Sequence, residues 1–112
     1  MKKKLIAVSG GFDPIHKGHV KMIQEAAEYG NVVVILNSDE WLERKKGYKF
    51  MDFEERSYIA GSIKGVMMTT SVDDSDNTVC EALKRIKPDY FANGGDRILS
   101  NTPEMKLCHE LG

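Results

Sequence analysis

Five consecutive apolar residues, Val32-Val33-Val34-Ile35-Leu36, constrain this chain more than any other stretch of it. A run with no polar alternation is buried on both faces, and β-branched side chains suit a pleated strand. The run therefore predicts a central strand of a parallel sheet covered by helices on both sides. Lys4 to Ser9 reads as a second buried strand that stops at Gly10-Gly11. Residues 18 to 29 place Val20, Ile23, Ala26 and Ala27 at helical spacing, with Gly30 as the stop. Val66 to Thr70 is a third strand and Tyr90-Phe91-Ala92 a fourth. Asp52 with Glu55 resembles a capping box opening a helix to about Ile63. Thr78 with Glu81 makes another, with Val79, Leu83 and Ile86 on one face and Pro88 as the stop. Thr102-Pro103 starts a last helix that turns Met105, Cys108 and Leu111 inward. The segment from Ser38 to Lys49 is too polar for core and reads as a basic loop.

Strands alternating with helices over short connections give the expected class: α/β, a Rossmann-like three-layer fold with a parallel sheet. The chain ends at Leu111-Gly112, just after its last helix. The sheet is therefore expected to lack its final strand, or residues 1–112 form a single domain truncated at its C-terminus.

Bulk properties exclude several functions. With 112 residues, 41% hydrophobic and 29% charged, the chain is an ordinary globular domain. A net charge of −1 supplies no field for nucleic acid or an anionic membrane, and no aromatic stacking platform is visible. No run reaches the length of a membrane span, and the apolar stretch after Lys2-Lys3-Lys4 is too short for a signal peptide. Cys80 and Cys108 fall in amphipathic patterns and read as reduced core residues, with a disulfide possible but unneeded. A cytoplasmic protein is the expectation.

Ligands of open α/β sheets bind beyond the carboxyl ends of the strands. Three informative turns fall there: Gly10 to His19, the basic segment after Leu36, and Gly94-Gly95-Asp96. In Gly10-Gly11-Phe12-Asp13-Pro14-Ile15-His16-Lys17-Gly18-His19 the paired glycines let backbone approach a ligand. The helix starting near Gly18 aims free N–H groups and its positive dipole end at the same space. His16 and His19, three residues apart, flank that anion hole, and Gly18 keeps the space between them clear.

This stretch resembles the signature of the HxGH nucleotidyltransferases, the cytidylyltransferase-like superfamily. Gly10, Phe12, Asp13, His16, Gly18 and His19 match its G-x-F-D-x-x-H-x-G-H pattern, while Gly11 stands where Thr or Ser is frequent. Asn37-Ser38-Asp39-Glu40, Lys45, Lys46 and Phe53-Glu54-Glu55-Arg56 are similar in layout to glycerol-3-phosphate cytidylyltransferases. Gly94-Gly95-Asp96 is similar to a turn of heptose-phosphate adenylyltransferases. The resemblance implies transfer of CMP (or AMP) from a nucleoside triphosphate to a small phosphorylated polyol or sugar, releasing pyrophosphate, with Mg²⁺ accompanying the nucleotide; CTP is the first reading of the donor and an ATP-specific heptose-phosphate-type adenylyltransferase is an alternative. It implies His16, His19, Lys45 and Lys46 as catalytic groups. Nucleotide contacts would come from Gly10, Gly11, Phe12, Asp13, Gly18, Arg56, Gly94, Gly95 and Asp96. Homodimers are frequent in such families, so a homodimer is expected. The late Ser/Thr-rich motif of these families has no counterpart in the chain, which leaves a non-catalytic nucleotide-binding module as the alternative.

A phosphate-ester acceptor is already mostly dianionic at neutral pH, so the chemistry needs positioning and charge stabilisation rather than a general base. Several residues also have a plainer reading. Asp13 serves equally well as a carboxylate that holds its turn. Lys45-Lys46 is also a solvated charge run, and Arg56 a helix-surface partner of Asp52. His16 and His19 lack enough companions for a structural zinc site.

Overall fold

The computed structural model describes residues 4–76, 78–93 and 97–99. Five strands form one sheet in the order β3-β2-β1-β4-β5, with β1 at Lys4–Gly10, β2 at Gly30–Leu36, β3 at Val66–Thr70, β4 at Tyr90–Asn93 and β5 at Arg97–Leu99. The first four are mutually parallel, and β5 pairs antiparallel with β4. The strand alternation does not anticipate β5, because three residues carry too little pattern to separate from a loop. The expected last helix, with Cys108 and His109, lies outside the described residues.

Side chains of successive strand residues leave the sheet on opposite faces, and two cores result. Ile6, Val8, Val32, Val34 and Leu36 pack with Met22, Ile23 and Ala26 of helix α1 (Lys17–Ala27) and Ala60 of helix α3 (Phe53–Gly61). Ala7, Ile35 and Phe91 pack on the other face with Cys80, Ala82 and Leu83 of helix α4 (Cys80–Ile86). Helix, sheet, helix is the three-layer arrangement the continuous apolar strands demand. Gly30 is required where β2 begins, since a Cβ there would lie 2.1 Å from Lys4 O.

Three sequence expectations need correction. Asp39 to Lys46, expected as loop, is helix α2. It forms for electrostatic reasons rather than apolar periodicity. Ser38 Oγ accepts from Trp41 N at 3.0 Å, Asp39 and Glu40 occupy the first turn, and Arg44, Lys45 and Lys46 the last. Gly47 closes it at φ 84°, a conformation glycine takes without penalty. The Thr78/Glu81 capping box does not form. Val79 is the N-cap with no side-chain bond, and Glu81 turns instead to Arg85 and to Asp73 N. Cys80 is buried as expected but is disulfide-bonded, not a reduced thiol. An amphipathic pattern registers burial and cannot tell a thiol from a half-cystine.

Candidate active site

The strand order reverses at β1, which has β2 on one side and β4 on the other, and the turn leaving β1 carries the two histidines. His16 is the N-cap of α1, with extended backbone at φ −143° and ψ −179°. Its Nδ1 accepts from Gly18 N at 3.0 Å. His19 reciprocates: its Nδ1 accepts from His16 N at 3.1 Å. The pair is a capping box built from imidazoles. An amide N–H can only donate, so each Nδ1 is unprotonated and the neutral ring carries its hydrogen on Nε2. Both rings thus retain one N–H donor, and their centroids lie 4.0 Å apart at 31°. Burial, reinforced by the neighbouring His16 ring, lowers the His19 pKa below the ordinary histidine value and favours that neutral form. Gly18 is required: a Cβ there would lie 2.9 Å from His16 Cε1.

Phe12 supports the histidines from below. Its ring is buried, packs edge-on to His19 at 4.7 Å, and would meet any Cβ at Gly10 at 3.3 Å. Its backbone sits at φ 52°, a left-handed conformation that costs a bulky residue on the order of 1–3 kcal/mol and persists only where the surroundings enforce it. The following Asp13–Pro14 bond is cis.

Asp13 is one of those surroundings. Its carboxylate accepts from Met51 N at 2.6 Å, Phe50 N at 2.8 Å and Lys46 Nζ at 3.0 Å. Burial acting alone would raise its pKa; the hydrogen bonds from Phe50, Lys46 and Met51, with the lysine's charge, outweigh that and hold it below the ordinary value. The Asp13 side chain is fully buried and holds the turn. Lys46 also donates to Asp13 O at 2.7 Å and lies over the Tyr48 and Phe50 rings. Lys45, one residue earlier, makes no hydrogen bond or ion pair with the described residues; its ammonium lies 5.8 Å from the Trp41 ring centre.

These groups enclose an open cavity of about 330 Å³. His16, His19, Gly11, Phe12 and Asp13 line it from the β1 turn, and Lys45 and Lys46 from α2, with Trp41 and Leu42. Seven of the expected site residues therefore meet at one place. Gly10 and Gly18 lie beneath it, each reserving space for a ring. Arg56 is fully buried under the turn, its donors committed to protein acceptors, and it pairs with Asp39 rather than Asp52. Gly94, Gly95 and Asp96 lie outside the described residues.

The sequence pattern misses one support. The buried Asp74 carboxylate accepts from Asn37 Nδ2 at 3.0 Å, Ser38 N at 2.9 Å and Ser38 Oγ at 2.7 Å. It fixes the start of α2, and so the wall that carries Lys45. An acidic residue in a polar loop 36 positions from its partner leaves no local signal.

The cytidylyltransferase-like family pattern matches residues 7–111, taking in the β1 turn, α2 and α3. The chain belongs to the cytidylyltransferase-like family. It is thereby a member of the nucleotidyltransferase superfamily. This cytidylyltransferase-like chain is 35% identical over 112 residues to the bifunctional protein HldE of Aliarcobacter butzleri, covering 97% of the chain and 23% of that protein. It is 37% identical over 97 residues to the bifunctional protein HldE of Sulfurimonas denitrificans, covering 84% of the chain and 20% of that protein. The chain spans about a fifth of the length of these curated relatives. Its fold is that of the lipopolysaccharide core biosynthesis protein of Thermoplasma volcanium, with a TM-score of 0.79 at 21% identity over 96% of this chain and 88% of that one. No helix among the described residues of this cytidylyltransferase-like chain is long and apolar enough to cross a membrane.

Proposed function

We propose that the chain transfers a nucleotidyl group from a nucleoside triphosphate to a small phosphorylated sugar or polyol, releasing pyrophosphate. The observation that carries this reading is the pair of imidazoles, 4.0 Å apart, whose Nδ1 atoms are spent on backbone N–H groups beside a helix N-terminus. That leaves two neutral Nε2–H donors and the positive end of α1 around one cavity, an environment matched to polyphosphate. His16 and His19 donate to α- and β-phosphate oxygens as charge builds on the leaving pyrophosphate. Lys45, held by no protein acceptor among the described residues, meets the triphosphate or the acceptor phosphate. Lys46 contributes from its place on Asp13.

A divalent cation is expected to enter this site with the nucleotide. Among the described residues no three His, Cys, Asp or Glu side chains gather to hold a metal, and Asp13 already accepts three hydrogen bonds. Mg²⁺ bound by phosphate oxygens and water would neutralise the triphosphate.

ATP is the donor we favour, from the likeness of Gly94-Gly95-Asp96 to heptose-phosphate adenylyltransferases. CTP is the second reading, supported by the layout from Asn37 to Arg56. The reaction belongs in the cytoplasm, where triphosphates are abundant, and the protein is expected to work as a homodimer. The deciding experiment is pyrophosphate detection with each of the four triphosphates, Mg²⁺, and a panel of sugar and polyol phosphates. Release with ATP and a sugar phosphate supports the first reading, and release with CTP and a polyol phosphate the second. Triphosphate binding without release across the panel returns the chain to a binding module. Sedimentation showing only monomer at micromolar concentration removes the homodimer.

A further inference from the structure

One side chain on the α2 wall takes no part in the phosphate chemistry. Trp41, the single tryptophan of the chain, is half-buried and lines the cavity. Gly11 lets the indole approach the β1 turn: a Cβ at that position would lie 3.7 Å from Trp41 Cζ3 and 2.8 Å from Leu42 Cδ2. One helical turn further along α2, Lys45 places its ammonium 5.8 Å from the centre of the same ring. The Trp41 backbone N–H donates to Ser38 Oγ, while the indole Nε1–H meets no acceptor among the described residues. Two residues on one helix face thus present an aromatic surface, an N–H at its edge and a cation beside it.

The polar side chains around this surface are of one kind. His16 and His19 offer Nε2–H, Lys45 and Lys46 offer ammonium hydrogens, and Trp41 offers Nε1–H. The Asp13 side chain is fully buried, and its oxygens are taken by Phe50 N, Met51 N and Lys46 Nζ. Every side-chain group left for a ligand among these lining residues is therefore a donor. Adenine and cytosine each carry an amino group that needs an acceptor. Phosphate oxygens and hydroxyls accept from all of these groups, so the space beside Trp41 suits a phosphorylated, hydroxylated ring over a base. One face of a pyranose is a run of C–H groups, apolar like the indole it would cover, and its rim of hydroxyls can accept from Nε1–H. An open-chain polyol has no such face until its rotors are ordered, which costs conformational entropy that a closed ring does not lose. We propose that Trp41 is a specificity-determining residue for the acceptor, its indole stacking on the C–H face of a sugar ring whose phosphate meets Lys45. This rests on the nucleotidyl-transfer reading of the site and ranks cyclic sugar phosphates above open-chain polyol phosphates as acceptors.

The test measures binding to the full chain by calorimetry, with Mg²⁺ and saturating methylene-bridged analogues of ATP or CTP that cannot release pyrophosphate. The probes are glucose-1-phosphate, mannose-1-phosphate and galactose-1-phosphate, with glycerol-3-phosphate as the open-chain comparison. At least one pyranose phosphate should bind about tenfold or more tightly than glycerol-3-phosphate. In Trp41→Leu that preference should disappear, with far smaller losses for glycerol-3-phosphate and for the nucleotide analogue, and Trp41→Phe should recover most of it. A folded Trp41→Leu protein that keeps the preference overturns the proposal. So does a loss confined to the nucleotide analogue, which would put the base on the indole. If Trp41→Leu does not fold, replacing the single tryptophan by a fluorinated one keeps its shape and drains its π-electron density. The preference for pyranose phosphates should then weaken, and an unchanged preference overturns the proposal. Nucleotide binding with no preference for any pyranose phosphate in the wild-type protein overturns it as well. If neither nucleotide analogue binds, the nucleotidyl-transfer reading itself has failed, an outcome distinct from the others.

Discussion

Each histidine spends one ring nitrogen on the backbone and keeps the other for the cavity. Removing the His19 ring should therefore remove a donor to developing charge without emptying the binding site. For His19→Ala we expect kcat to fall on the order of 10²–10³-fold while the Kd for triphosphate changes far less. An unchanged turnover number rules out the assigned role. The same geometry sets a pH dependence. Folding lowers the His19 pKa, through burial and the neighbouring His16, so below about 6.5 the unfolded chain takes the proton first. The stability this gives is whole above that value and is lost as pH falls through the lowered pKa. Melting temperatures of wild type and His19→Gln, compared from pH 7.5 to 5, should converge toward acid; a gap that widens refutes the assignment.

At the scale of elements, α1 begins in a way that trades helix propensity for ring placement. Alanine at position 18 would favour the helix by about 1 kcal/mol over glycine, yet its Cβ would lie 2.9 Å from His16 Cε1. The ring must then leave its bond to Gly18 N. We expect Gly18→Ala to melt within a few degrees of wild type and to lose about tenfold or more in kcat; full activity in a folded variant would show that the cap is dispensable. How far such features were legible differs between elements. The β1 turn could be read because its chemistry is local: glycines, histidines and a strand end within ten positions. Helix α2 could not be read from apolar period because it buries little beyond Leu42. Its cap, its charge order and Gly47 were the available signal. The fates of Asp13 and Arg56 were largely not local. The carboxylate of Asp13 is settled by partners 33 to 38 positions away along the chain, and Arg56 by partners 5 to 45 positions away, most of which no spacing rule reaches.

For the molecule as a whole, the close approach of β1 and β2 is the condition on which the site depends. The turn bearing the histidines and the start of α2 hang from adjacent strand ends, paired from Lys4↔Gly30 to Gly10↔Leu36. Gly30→Ala places a Cβ against the Lys4 carbonyl, backbone that cannot rotate away. We expect a loss on the order of 3 kcal/mol, read as a lower urea midpoint; an unshifted midpoint would mean that the strands part there at little cost. The histidine capping box has a last consequence, for substrate choice. With both Nδ1 atoms occupied and both Nε2 atoms already protonated, neither ring can take a hydrogen from an incoming alcohol. On the proposed function, the protein would sort acceptors by ionisation before it sorts them by shape. Free sugars and glycerol should remain untouched even at molar concentration, while their phosphate esters react at millimolar concentration, and pyrophosphate release from an unphosphorylated polyol would show that some other base is at work.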